Sequence, residues 1–260
     1  MLCTVDIGNT NICVGMMDDD RTLTFTGRMR SNRDKTEEEF LIELKNLLNV
    51  YNVSVSTVTG AIISSVVPSL TDVVRSGIYR MMGVQPLVVG HGIRTGIRIN
   101  AEQPSSVGSD LIVDAVAATE KYDGPLIIFD LGTATTCSVV TEDRTYLGTL
   151  IIPGVKISQD ALSERCAQLP CIRFENPRHL IGHNTVECMQ SGLFYGNAAM
   201  IDGLIDRINE EYGWKAAAII TGGIGGLIAP YCKRDLIYDE NLLLEGLWYL
   251  YHKNVKKIAC

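Results

Sequence analysis

Two short segments combine residue types and spacings suited to phosphate chemistry: Asp6-Ile7-Gly8-Asn9-Thr10-Asn11 and Asp130-Leu131-Gly132-Thr133-Ala134-Thr135-Thr136. In each, an acidic residue ends an apolar run, glycine follows two positions later, and hydroxyl or amide side chains come next. Glycine lets a backbone approach an anion closely, and Asn and Thr donate hydrogen bonds to phosphate oxygens. A carboxylate at a strand end can face a magnesium ion or its water shell. Asn and Gly are also the usual residues of a plain hairpin turn, so either segment alone is open to that simpler reading. Two such turns on related halves can grip a polyphosphate from both sides, and the pair is a stronger signal than either member. A third segment, Thr221-Gly222-Gly223-Ile224-Gly225-Gly226, can present a flat backbone platform to a nucleoside, although glycine-rich turns are common punctuation.

The elements that must position these turns recur along the chain. Residues 2–15 read as apolar strand, tight polar turn and returning strand, and residues 126–140 repeat that pattern. After the first hairpin the sequence predicts a strand at 24–30, a helix over 36–51, a buried strand at 60–66 and a helix opened by Pro68 that runs to 82. After the second it predicts helices over 154–165 and 185–211, a strand at 216–221 and a last helix near 242–252. Strands followed by alternating helix and strand imply mixed α/β sheets flanked by helices. A duplicated unit is the simplest account, with domains at 1–116 and 117–260 and a cleft between them.

Composition narrows the class. Of 260 residues, 46% are hydrophobic and 20% charged, which is enough for a large core and leaves no low-complexity arm. The net charge of -7 and the lack of a clustered Lys and Arg stripe, the one basic run being Lys253 to Lys257, argue against nucleic acid as a partner. The first fifteen residues lack a leading basic cluster, and no apolar run approaches the roughly 18 residues that span a bilayer, so a cytoplasmic protein with no membrane partner is expected. The cysteines (Cys3, Cys13, Cys137, Cys166, Cys171, Cys188, Cys232 and Cys260) form no C-x-x-C pair, and most read as reduced core residues.

In this order the three turns resemble the sugar kinase, heat-shock protein 70 and actin superfamily, and within it the type III pantothenate kinases. The resemblance extends through Ser64-Ser65-Val66-Val67-Pro68, Val107-Gly108-Ser109-Asp110, Pro153-Gly154, the stretch from Asn184-Thr185-Val186-Glu187 to Gly192, and Leu244-Glu245-Gly246-Leu247, so it covers essentially the whole chain. It implies two duplicated ribonuclease H-like (actin-like ATPase) domains and phosphoryl transfer from ATP to pantothenate, the first step of coenzyme A synthesis. By this resemblance Asp6, Ile7, Gly8, Asn9, Thr10, Asn11, Ile12, Cys13, Thr133, Gly222 and Gly223 hold ATP with Mg2+. Asp130 binds a monovalent cation, K+ or NH4+. Asp110 is the catalytic base, and Gly108, Ser109 and Thr185 contact substrate, Thr185 from the partner subunit of a homodimer. Read locally, Ser109 or Asp110 also suits a helix cap, and Thr185 the first turn of a helix capped by Asn184 and Glu187.

Two substrate positions depart from the family pattern. Leu111 stands where Arg usually meets the pantothenate carboxylate, and Ala101, in Ala101-Glu102-Gln103-Pro104, stands where Tyr is usual. A charge-assisted hydrogen bond is worth roughly 1.5–3 kcal/mol, so the missing guanidinium costs about tenfold to a hundredfold in binding unless Arg94, Arg98 or another cation replaces it. The alternatives are a kinase for another hydroxylated small molecule and a non-catalytic nucleotide-binding regulator. His179, His183 and Glu187 share a helical spacing that suits a metal, but Gly182 interrupts it, and surface or dimer-contact residues are the expectation.

Overall fold

The computed structural model describes residues 1–255, so Cys260 and, from the basic run at 253–257, Lys256 and Lys257 lie outside the described residues. The chain divides into two compact units, Met1–Glu120 with the segment from Leu242 onward, and Lys121–Asn241.

In the first unit β1 (Leu2–Ile7), β2 (Asn11–Met17) and β3 (Leu23–Arg30) form an antiparallel meander. Helix α1 (Glu37–Val50) begins at a capping box, with Thr36 and Glu39 each closing on the other's backbone N–H. β4 (Gly60–Ser65) then pairs with β1 in parallel, α2 (Pro68–Met82) opens on Pro68, and β5 (Leu87–Val88) pairs with β4 in parallel. The strand order is β3-β2-β1-β4-β5. Alternation sorts the two sheet faces: Cys3, Val5 and Ile7 pack with Phe40, Leu44 and Val74 of α1 and α2. Leu2 and Ile62 on the other face pack with Ile112 and Val116 of α3 (Ser109–Lys121), which follows the short β6 (Arg98–Ile99).

The second unit repeats the plan. β7 (Leu126–Leu131), β8 (Ala134–Val140) and β9 (Thr145–Pro153) form the meander, followed by α4 (Val155–Arg165) and the long α5 (Thr185–Tyr212). β10 (Ala217–Thr221) pairs with β7 in parallel, and after the short α6 (Gly225–Ile228), β11 (Ile237–Tyr238) pairs with β10 in parallel. Within a six-stranded sheet the five strands of the second unit run β9-β8-β7-β10-β11, which matches the first unit strand for strand, with the same parallel and antiparallel neighbours. Phe129, Leu131 and Cys137 pack beneath Val155, Leu193 and Phe194.

Helix α7 (Leu242–Asn254) belongs to the first unit, where Leu247 and Leu250 join the cluster containing Leu2, Ile62 and Val116. The compact units therefore differ from the contiguous 1–116 and 117–260 division, because the apolar side of the last helix is buried on the first sheet. Every helix and strand predicted from the sequence is present to within about three residues, whereas β9 and the short β5, β6, α6 and β11 are not among those predicted.

Candidate active site

Gly8, Asn9 and Thr10 join β1 to β2, with the Gly8 N–H donating to the Asn11 carbonyl at 3.0 Å. Asn9, Thr10 and Asn11 are exposed, while Ile7 and Ile12 are fully buried in the helix-facing core and can offer a ligand only backbone. Two carbonyls of the turn are already engaged: Ser31 donates from its N–H to Thr10 O at 2.9 Å and from Oγ to Gly8 O at 2.6 Å. Asp6, the last residue but one of β1, lies between Cys13 on β2 and Ser64 on β4, its direct cross-strand partners.

The turn of the second unit is built alike. Gly132 N–H donates to Ala134 O at 3.1 Å, Thr133 is exposed at the tip, and Asp130 lies between Thr136 and Thr221. A glycine in a tight hairpin usually supplies a positive φ. Neither Gly8 nor Gly132 has one, and a Cβ would meet nothing closer than 3.3 Å at Gly8 or 3.5 Å at Gly132. The chain itself does not require glycine at Gly132, and at Gly8 a side chain asks only a small shift of the Asn11 carbonyl, so the plain hairpin reading explains the second glycine not at all and the first in part, whereas close approach of an anion accounts for both.

Gly222 does have a structural reason. Its φ is +88°, and a Cβ there would lie 2.3 Å from Asp130 Oδ1. The bare backbone thus lets the Asp130 carboxylate lie against the start of the glycine-rich turn, in which Gly223 is exposed. A carboxylate beside peptide groups is a hard-oxygen donor set that fits an alkali or ammonium ion. Asp6, with only glycine two residues on, similarly fits a magnesium ion that keeps most of its water and shares phosphate oxygens.

The candidate base is fixed to the first sheet by Ser109. Its hydroxyl donates to Ser65 O at 2.9 Å and accepts from Ser65 N at 3.1 Å, and it lies 3.0 Å from Ser64 Oγ. One donor and two acceptor positions are all the hydroxyl has, so with Ser64 donating they are fully used in anchoring the start of α3 to β4. Since Ser64 is the cross-strand neighbour of Asp6, Asp110 follows one residue from a side chain bonded beside the phosphate turn. Asp110 Oδ1 accepts from Leu111 N at 2.9 Å, and a Cβ on Gly108 would lie 2.4 Å from that oxygen, so glycine is needed there. Burial raises the Asp110 carboxyl above its ordinary value of 3.8, against a lowering by backbone N–H groups. The result is a stronger base than a surface aspartate.

Leu111 is 8% exposed, so its side chain is apolar cover while its N–H holds the base. Ala101 is half-buried and Arg94 is exposed, its backbone clasped by Asn254 at 2.8 and 2.9 Å. Thr185 is exposed at the start of α5, where Asn184 caps Glu187 N at 3.0 Å. The His179 and His183 rings meet edge to face at 5.5 Å, and Glu187 accepts from His183 N, which lowers the Glu187 pKa. Cys3 and Cys137 are buried thiols, each pushed up to about 12 by desolvation, as the sequence reading implied, but Cys166, Cys171 and Cys188 are exposed.

Solved structures share this architecture. A Baf family protein from Campylobacter jejuni superposes with a TM-score of 0.61 at 18% identity, covering 95% of this chain and 96% of the other. The ADPNP-bound activator of 2-hydroxyisocaproyl-CoA dehydratase from Clostridium difficile gives 0.56 at 12% identity, covering 100% and 99%. These likenesses establish an actin-like ATPase fold. At the level of sequence, a type III pantothenate kinase of Exiguobacterium sp. is 44% identical over 98% of this chain and 100% of its own length, and one from Moorella thermoacetica is 42% identical with the same coverage. The type III pantothenate kinase family pattern matches residues 2–207, which include both phosphate turns and the anchored Asp110. With the duplicated sheets and full-length relatives in agreement, the chain belongs to the type III pantothenate kinase family.

Proposed function

We propose that this chain transfers the γ-phosphoryl group of ATP to the primary hydroxyl of pantothenate, giving 4′-phosphopantothenate and ADP, the first step of coenzyme A synthesis. The observation that carries the mechanism is the Ser109 anchor, which sets a desolvated Asp110 beside the row containing Asp6. Asp110 takes the hydroxyl proton as the acceptor oxygen bonds to the γ-phosphorus. The bond from that phosphorus to the bridging oxygen breaks, and its electron pair leaves with ADP. The backbone and amide groups of Asp6 to Cys13, with Thr133 and the Gly222-Gly223 turn, hold the nucleotide. Asp6 would hold a magnesium ion, which would neutralise phosphate charge, and Asp130 would hold a monovalent cation.

A homodimer fits the apolar side chains that the second unit leaves exposed, Leu150, Ile151, Ile157, Leu180 and Ile181, together with the exposed Thr185. Among the described residues no helix is long and apolar enough to cross a membrane, in keeping with a cytoplasmic enzyme. Leu111 and Ala101 favour a second reading, a kinase of the same mechanism whose acceptor has no carboxylate, since neither side chain can pair with one.

The test is ADP release from MgATP in potassium buffer, with and without pantothenate, for the parent and Asp110→Asn. Pantothenate-stimulated turnover should fall by about 10²–10⁴-fold in the variant. In the parent, kcat/KM should decline on the acid side through a pKa above 3.8. Because the folded-state pKa is raised, ionised Asp110 opposes folding at neutral pH, so Asp110→Asn should melt higher there. That gain should vanish below the ordinary carboxyl value, where both states are protonated. ATP binding without stimulated turnover would turn the assignment toward another acceptor, found with a panel of hydroxylated acids and amides, or toward a regulator.

A further inference from the structure

Three arginines line the outer edge of the first sheet and the loop leaving it. Arg28 pairs with Cys13 and Arg30 with Asn11 across the β2–β3 ladder. Directly paired residues project to the same face. Ser64, Asp6, Cys13 and Arg28 therefore form one row across four strands, with the acid in the middle and the guanidinium at the edge. Two strand spacings place the Arg28 Cα about 10 Å from that of Asp6, within reach of a long side chain turned inward.

Arg33 is closer still to the turn: its Nη2 donates to Asn9 Oδ1 at 3.2 Å. The loop carrying it is rigidly held. Ser31 bonds both Gly8 O and Thr10 O, and the Lys35 ammonium, whose residue is 5% exposed, bonds Arg30 O at 2.9 Å and Glu43 Oε2 at 2.5 Å. All three arginines are exposed, and among the described residues none has a carboxylate within ion-pair distance. Elsewhere in this acidic chain Arg75, Arg80 and Arg234 do have acidic partners. Three uncompensated guanidinium groups around one glycine turn repel each other unless an anion joins them. A planar guanidinium matches phosphate oxygens in a bidentate fashion, and phosphoryl transfer gains most from charge placed on those oxygens.

We propose that Arg28, Arg30 and Arg33 form a guanidinium arm of the first phosphate turn that binds the polyphosphate chain of the nucleotide. The proposal rests on the nucleotide reading of that turn and adds residues to it. Titration calorimetry on the full chain, without acceptor, tests it with ADP, adenosine and inorganic tripolyphosphate. Arg28→Gln, Arg30→Gln and Arg33→Gln should each lose about tenfold to a hundredfold in affinity for ADP and tripolyphosphate. Adenosine affinity should stay at the parent value, and the salt dependence of ADP binding should become shallower. Arg28→Lys should recover part of the loss, which a purely structural role for the side chain would not give. If all three glutamine variants bind ADP and tripolyphosphate within twofold of the parent, the arm is wrong while the nucleotide reading stands. If the parent binds tripolyphosphate through the arm but neither ADP nor adenosine, the arm stands and the nucleotide reading fails. A parent that binds neither ADP nor tripolyphosphate overturns both.

Discussion

The two glycine turns occupy the same place in sheets of the same strand order, yet they are held from different sides and flanked by different chemistry. The first has three residues between its strands and is buttressed by the loop after β3, through Ser31 and Arg33. The second has two, and the start of α4 presses on it so closely that a Cβ on Gly154 would lie 2.1 Å from Thr133 O. Their carboxylate rows run in parallel: Ser64, Asp6, Cys13 and Arg28 in one, Thr221, Asp130, Thr136 and Ile151 in the other. Where the first row ends in a guanidinium, the second ends in an isoleucine that is 72% exposed. The duplicated frame fixes where a carboxylate stands, and the outermost strand of each meander decides what it works beside. One copy ends that edge in guanidinium groups, and the other in an exposed apolar side chain.

The largest expected effect comes from exchanging the two acids for amides. Asp6→Asn should lower kcat/KM by about a hundredfold or more, as loss of charge placement at a phosphoryl centre does. Asp130→Asn should cost about tenfold, and it alone should change the response to KCl. Steady-state kinetics over a KCl series reads both, and equal losses with one salt response would mean that the two turns are interchangeable. Next in size is a contrast between glycines. Gly222→Ala places a Cβ on Asp130 Oδ1 at φ +88° and should destabilise the fold by about 1–3 kcal/mol in urea melts. Gly8→Ala and Gly132→Ala should melt close to the parent but bind ADP weakly, and normal binding by both would remove the case for anion approach. The smallest effect on folding belongs to Ile151→Glu, within about 0.5 kcal/mol of the parent, while sedimentation should show the dimer dissociating.

Much of this arrangement was legible in the sequence. The apolar run, acid and glycine of each turn are local signals, as are Thr36 with Glu39 at the start of α1 and Pro68 at the start of α2, so those elements could be placed. β9 could not, because Leu150 and Ile151 are apolar yet exposed and break the alternation that marks a half-buried strand. Ser109 reads locally as a helix cap, but its bonds reach Ser64 and Ser65 more than forty residues away. Arg28 lies within the strand predicted at 24–30 and belongs to no motif. Its place beside Asp6 follows from the pairing of Cys13 with Arg28, a register that composition does not encode. Packing partners of a terminal helix are equally non-local, which is why the burial of α7 on the first sheet is not legible in a contiguous division.

That last helix has a consequence for synthesis. A ribosome delivers the strands of the first unit early, but Leu2, Ile62 and Val116 stay without Leu247 and Leu250 until the segment after the second unit has emerged. The second unit, continuous from Lys121 to Asn241, is complete sooner. The half that begins first is therefore the half that finishes folding last, and for most of translation its apolar sheet face is the surface most in need of a chaperone.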